Sequence, residues 1–223
     1  MFVNFSMDKI KLSYCVFLYI FLGYINSFIA SNISLPQEVH SKLFDVGHYY
    51  FPKISTLYPD ILFFSIFIYF IIRWHANHRL LKVFFLICSI LFLIRLIIFP
   101  ITQFPPAYSL EDCFKPLENG PWIFFTFYSQ STCVDYMFSG HTFHLTIITL
   151  LTIYNSGNYF EKVLLPLVAI VNVMIIIAAR MHYTSDIVVG FIISFLTYSI
   201  YELYMKNRFL NRLIDKQNKN NNN

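Results

Sequence analysis

The chain has 223 residues, of which 57% are hydrophobic, 20% aromatic and 13% charged, against about 25% charged in an average soluble domain. That balance argues against a water-soluble globular fold and for a bilayer. The net charge of +4 lies in short clusters between apolar runs. No single basic face collects it, so nucleic acid is not an expected partner.

A membrane helix is apolar all round, so run length rather than periodicity marks the spans. The first run covers about residues 12–30 and follows Lys9 and Lys11. Small residues at Ser27, Ala30 and Ser31 offer a cleavage site, but the run is long for a signal peptide and reads as a retained anchor. Further runs cover about 57–74, 80–101, 141–154, 163–179 and 187–204. The fourth is short and needs flanking residues to cross. The expectation is an all-α, polytopic bundle of six transmembrane helices. Residues 1–56 form an anchor helix and lumenal loop, and 57–205 a catalytic membrane domain. The basic, asparagine-rich stretch 206–223 reads as a disordered cytosolic tail.

Orientation follows from lysine and arginine. Lys9 and Lys11, then Arg73, Arg79 and Lys82, then Lys206, Arg208, Arg212, Lys216 and Lys219 fall on one side of a six-span chain. That side is cytosolic, with both termini. The loop before the fourth run carries Glu111, Asp112, Glu118 and Asp135 against Lys115 and belongs in the lumen or outside. There Cys113 and Cys133 have the choice of pairing or staying free, and Asn32-Ile33-Ser34 is a glycosylation sequon. Cys15 and Cys88 lie in apolar runs and read as packing residues.

Three polar stretches interrupt the apolar background. Cys133-Val134-Asp135 leads through Ser139-Gly140-His141-Thr142 into the fourth run. Arg180-Met181-His182-Tyr183-Thr184-Ser185-Asp186 joins the fifth and sixth. Arg95 lies inside the third. Run four starts outside, and run five ends where run six begins, so His141, His182 and Asp186 share the outer interface. Arg95 lies 13 residues beyond Lys82, roughly 20 Å into the membrane at 1.5 Å per residue, and reaches the same leaflet. Ionisable groups near hydrocarbon are costly and mark function by default. The i, i+4 spacing puts Asp186 one turn from His182, where a carboxylate fixes the imidazole tautomer.

For the surrounding residues two readings stand side by side. Arg95 holds a phosphate or positions a catalytic carboxylate, or it pairs with a helix carbonyl or Asp60 for packing. Ser139 and Gly140 present backbone N–H groups to an anion, or form a helix cap. Asp135 orients a catalytic group or caps a turn. Arg180 clamps phosphate or snorkels. His144, three residues after His141, suits a metal face, but no zinc-ligand spacing accompanies it, so neither metal nor other cofactor is expected. His40, His48, His75 and His78 lie in polar loops and receive no role.

At these residues the chain resembles the sphingomyelin synthase family, a branch of the lipid phosphatase superfamily. The family pattern of Cys-Gly-Asp, three residues, then Ser-Gly-His-Thr is met by Cys133 to Thr142, with Val134 in place of the glycine. His-Tyr-Thr, one residue, Asp is met by His182 to Asp186. Pro59-Asp60 and Arg95 with Thr102 and Pro105 are similar to two weaker elements. The resemblance covers roughly residues 57–205. It implies a lipid phosphatase-like core with catalytic His141, His182 and Asp186, and substrate contacts from Arg95, Asp135, Ser139, Gly140 and Arg180.

The implied reaction moves a phosphorylated head group, phosphocholine in the family, from a glycerophospholipid to ceramide or diacylglycerol. The implied setting is a Golgi, endoplasmic reticulum or plasma membrane, with a homodimer left open. Hydrolysis by water is the nearest rival. However, the wider superfamily's monoester phosphatases resemble a Lys, six residues, Arg-Pro pattern, and this chain has no Arg-Pro dipeptide. A non-enzymatic transport bundle is a second rival, weakened by the absence of a visible repeat.

Overall fold

In a computed structural model, residues 10–32, 43–102, 104–105, 107 and 137–221 are described. Among them the secondary structure is entirely helical. The elements are α1 (Leu12–Asn32), α2 (Val46–Tyr50), α3 (Leu57–Trp74), α4 (His78–Ile101), α5 (Gly140–Asn155), α6 (Tyr159–Ala178) and α7 (Thr184–Asn221). Five are long and apolar enough to cross a membrane: α1, α3, α4, α6 and α7. Helix α5, expected as the fourth span, has 16 residues and rises only about 24 Å at 1.5 Å per residue. It is buried along almost its whole length, so its neighbours rather than lipid receive most of its surface. The sequon and the two loop cysteines lie outside the described residues.

The core forms where α3, α4 and α5 meet. Phe63, Phe70, Phe84, Phe143, Leu91 and Ile148 are fully buried there. The outward faces stay apolar, with Phe17, Ile68, Ile97, Ile170 and Ile200 more than half exposed. A continuous apolar exterior of this kind requires a lipid-like surround.

The expected boundary after residue 56 does not mark a break in packing. Helix α1 packs chiefly on α4 and contributes Cys15 and Leu22 to the main core. Asn26 donates to the Phe92 carbonyl at 3.2 Å, and the Tyr19 hydroxyl donates to His144 Nε2 at 2.8 Å. Helix α7 runs without interruption to Asn221. Extending an existing helix avoids nucleation, and the Leu, Lys, Arg and Gln of this stretch are good helix formers.

Helices α3, α5 and α7 begin at one end of the bundle. The opposite end is tied by Glu161 at the start of α6. Its carboxylate accepts from Arg73 Nε at 2.7 Å, the Tyr69 hydroxyl at 2.9 Å and Ser156 Oγ at 2.5 Å.

Candidate active site

Each candidate catalytic group sits in the first turn of a helix or just before it. Asp60 lies in the first turn of α3, behind Pro59. Proline is tolerated there because the first N–H groups of a helix have no internal partner, and the helix dipole favours a carboxylate at that end. His141 follows Gly140 at the start of α5, capped by Ser139, whose hydroxyl accepts the Thr142 N–H at 3.3 Å. His182 stands in the turn between α6 and α7, and Asp186 in the first turn of α7.

The arrangement holds two imidazole–carboxylate pairs. His141 Nε2 donates to Asp60 Oδ1 at 2.9 Å, with His141 essentially inaccessible at 1% exposure. His182 Nδ1 faces Asp186 Oδ2 at 3.5 Å, and Asp186 is fully buried. The same Asp186 oxygen accepts the Tyr183 N–H at 3.0 Å. The pairs are joined through the backbone, since Ser139 N–H donates to the Asp186 carbonyl at 3.3 Å. His182 and Arg95 both lie near enough to His141 to bear on its charge. At Gly190 of α7 a Cβ would sit 3.3 Å from the Ser139 carbonyl, a tight fit that glycine relieves.

The remaining expected residues divide. Arg95, buried in α4, donates from Nε to the Phe138 carbonyl at 2.9 Å and so holds the turn that leads into His141. Asp60 accepts from His141. Ser139 acts as a helix cap, and its amide is committed to Asp186. The Gly140 carbonyl accepts from His144 Nδ1 at 2.8 Å. Asp135 lies outside the described residues.

Arg180 donates from Nη2 to the Phe51 carbonyl at 3.0 Å and has a left-handed backbone, φ 62°. Arg180 N–H bonds to Ile177 O and Met181 N–H to Ile176 O, which closes α6 with a Schellman motif. Glycine normally takes that position, so arginine there stores strain at the mouth of the site.

His144 is not placed to hold a metal. Its Nδ1 donates to Gly140 and its Nε2 accepts from Tyr19, so both ring nitrogens are engaged. No cluster of three metal-ligating side chains occurs among the described residues.

Two groups beside the site escaped the sequence reading. Asp60 entered it as a family element but not as the partner of His141. His48, set aside as a loop residue, donates from Nε2 to the His182 carbonyl at 3.0 Å. Burial pushes its imidazole below the ordinary range, against the opposing pull of that bond and of Asp45, with Arg180 adding to the depression. Asp45 is held below the usual carboxylate range: burial works against its charge, but donors from His48 and Thr184 outweigh that.

Residues 132–203 match the family model described as PAP2 superfamily C-terminal. The matched segment contains both histidine motifs. Over 119 residues the chain is 34% identical to a phosphatidylinositol:ceramide inositolphosphotransferase of Trypanosoma cruzi (strain CL Brener), across 50% of this chain and 35% of that protein. The chain thus spans about a third of the length of the curated relative it matches. Together these similarities support a place in the lipid phosphatase and phosphotransferase superfamily. More narrowly, the similarity is to a ceramide phosphotransferase.

Proposed function

We propose that this protein is a membrane phosphotransferase that moves a phosphorylated head group from a glycerophospholipid to ceramide through a histidine-bound intermediate. The observation that carries the reading is the pair of imidazoles at one end of the bundle, each with its own carboxylate and tied through Ser139 and Asp186. Transfer of a phosphodiester in two steps needs such a pair, one nitrogen to take the phosphoryl group and another to shuttle a proton.

With Nδ1 facing Asp186, His182 attacks phosphorus through Nε2. The bond from phosphorus to the glyceride oxygen breaks. His141 delivers a proton to that oxygen, and diacylglycerol leaves. With Nε2 committed to Asp60, His141 exchanges its proton at Nδ1. In the second step His141 takes the proton from the primary hydroxyl of ceramide. The resulting oxygen attacks phosphorus and the His182–phosphorus bond breaks, which restores both rings. Asp60 and Asp186 each stabilise an imidazolium as it forms. Burial of His141, His182 and Asp186 excludes water and favours a lipid acceptor. Arg180 and the start of α5 bind the phosphate oxygens, and Arg95 steadies the turn above them.

The basic ends of α3 and α4 lie at the cytosolic face and the site opens to the lumen or outside. The relative's name favours phosphoinositol as the head group, whereas the resemblance in sequence implies phosphocholine; the chemistry is the same for both.

The test uses purified protein in detergent with ceramide and head-group-labelled phosphatidylinositol or phosphatidylcholine. Labelled phosphorylceramide is the expected product, and the productive donor identifies the head group. His182→Ala and Asp186→Ala abolish transfer in folded protein. Label released only as free head-group phosphate would establish hydrolysis instead, and full transfer by His182→Ala would overturn the mechanism.

A further inference from the structure

His182 Nδ1 lies 3.5 Å from Asp186 Oδ2, farther than the about 2.7–2.9 Å of a well-made charge-assisted hydrogen bond. The turn that carries the ring is anchored through its backbone. The backbone around His182 is held at three successive residues. The carbonyl of His182 accepts from His48 Nε2 at 3.0 Å. The Tyr183 N–H is taken by Asp186. The Thr184 N–H and hydroxyl are both taken by Asp45, at 2.8 Å each. A carbonyl only accepts, so the His48 proton is on Nε2 and its tautomer is set.

Helix α2 is built to make these contacts. Asp45 caps it by accepting the His48 N–H at 2.9 Å, so one carboxylate starts both α2 and α7. The His48 ring lies against Tyr183, with centroids 5.4 Å apart, and the Tyr183 hydroxyl donates to the Pro105 carbonyl at 2.9 Å. At Gly47 a Cβ would come within 2.5 Å of both Ile177 Cγ2 and Thr184 Oγ1. Only a residue without a side chain lets α2 seat this closely on the turn.

We infer that Asp45 and His48, on the segment before α3, are positioning residues that clamp the His182–Thr184 backbone and thereby aim the His182 imidazole at phosphorus. The inference rests on the reading of His182 as nucleophile. The clamp acts on the His182–Thr184 main chain and the Thr184 hydroxyl, so its loss is expected to slow the chemical step and leave lipid binding unchanged. Displacement of a reacting group by an ångström lowers rate by about 10- to 100-fold.

The experiment measures kcat and KM for donor and for ceramide, together with melting temperature, on the full chain in detergent. Thr184→Val removes one of the two bonds to Asp45, and kcat falls by about 10- to 100-fold with KM unchanged. Thr184→Ser restores it. His48→Met, which has no donor, shows the same loss, whereas His48→Gln, which keeps an N–H, recovers much of it. If Thr184→Val folds poorly, the His48 pair poses the same question outside α7.

Wild-type kcat in Thr184→Val and His48→Met, beside an inactive His182→Ala control, overturns the clamp alone. A loss that follows melting temperature and is not rescued by Thr184→Ser or His48→Gln overturns it too, by assigning these residues to folding. An active His182→Ala overturns the reading beneath it.

Discussion

Replacing Asp60 by asparagine removes one charge and changes almost no volume, so it isolates what the carboxylate does for His141. The bond is 2.9 Å long; the ring is 1% exposed and the Asp60 side chain partly buried, at 17%. A hydrogen bond to a charged partner contributes about 1.5–3 kcal/mol. Asp60 stabilises the imidazolium that forms when His141 takes a proton from the acceptor hydroxyl, and asparagine offers only a neutral carbonyl. With 1.36 kcal/mol for each factor of ten in rate, kcat falls by about 10- to 150-fold. The assay is steady-state transfer of labelled head group to ceramide, with a melting curve on the same preparation. Wild-type kcat in folded Asp60→Asn would refute the reasoning, because a ring that shuttles protons unaided needs no partner. Retention of both fold and rate in Asp60→Leu would also refute it, since the carboxylate would then be dispensable to His141.

Gly47→Ala forces α2 off the turn between α6 and α7. Overpacking of this kind destabilises by about 1–3 kcal/mol, read as a lowered melting temperature together with reduced kcat. Arg180→Gly relieves the left-handed strain but removes the guanidinium. The melting temperature should hold or rise while the KM for donor rises, and an unchanged KM would assign Arg180 to structure alone.

The folded His48 holds its proton less tightly than the unfolded residue, whose ordinary value is 6.5. The unfolded state therefore binds more protons between the two values, and stability falls as pH drops below 6.5. Asp45 acts in the same direction further down, below its ordinary 3.8. Melting curves between pH 7.5 and 5 should show a decline that His48→Gln flattens.

Five of the six expected spans were legible because hydrophobic run length alone sets them. The run at residues 57–74 is α3 to the residue, and the 80–101 run differs from α4 only by the capped turn at Asn77. Both histidine motifs could be placed at one interface because each borders an apolar run. The long-range pairs could not be read. Asp60 and His141 are 81 positions apart, and His48 and His182 are 134 apart. No local pattern reports such contacts. A signal did exist for Asp60, a carboxylate at the edge of an apolar run, where burial demands a partner. For His48 the short helix that carries it gave no periodic trace.

The contact of Tyr19 with His144 gives the first helix a further consequence. That phenol supplies a proton to an imidazole nitrogen deep in the aromatic interior, one turn along from His141. A chimera carrying a generic hydrophobic anchor in place of residues 12–32 would leave this acceptor dry and unanswered, a penalty of about 1–3 kcal/mol. Membrane insertion would be preserved, yet the helix bearing His141 would lose its brace. Substituting phenylalanine at position 19 reproduces that defect with a single oxygen atom.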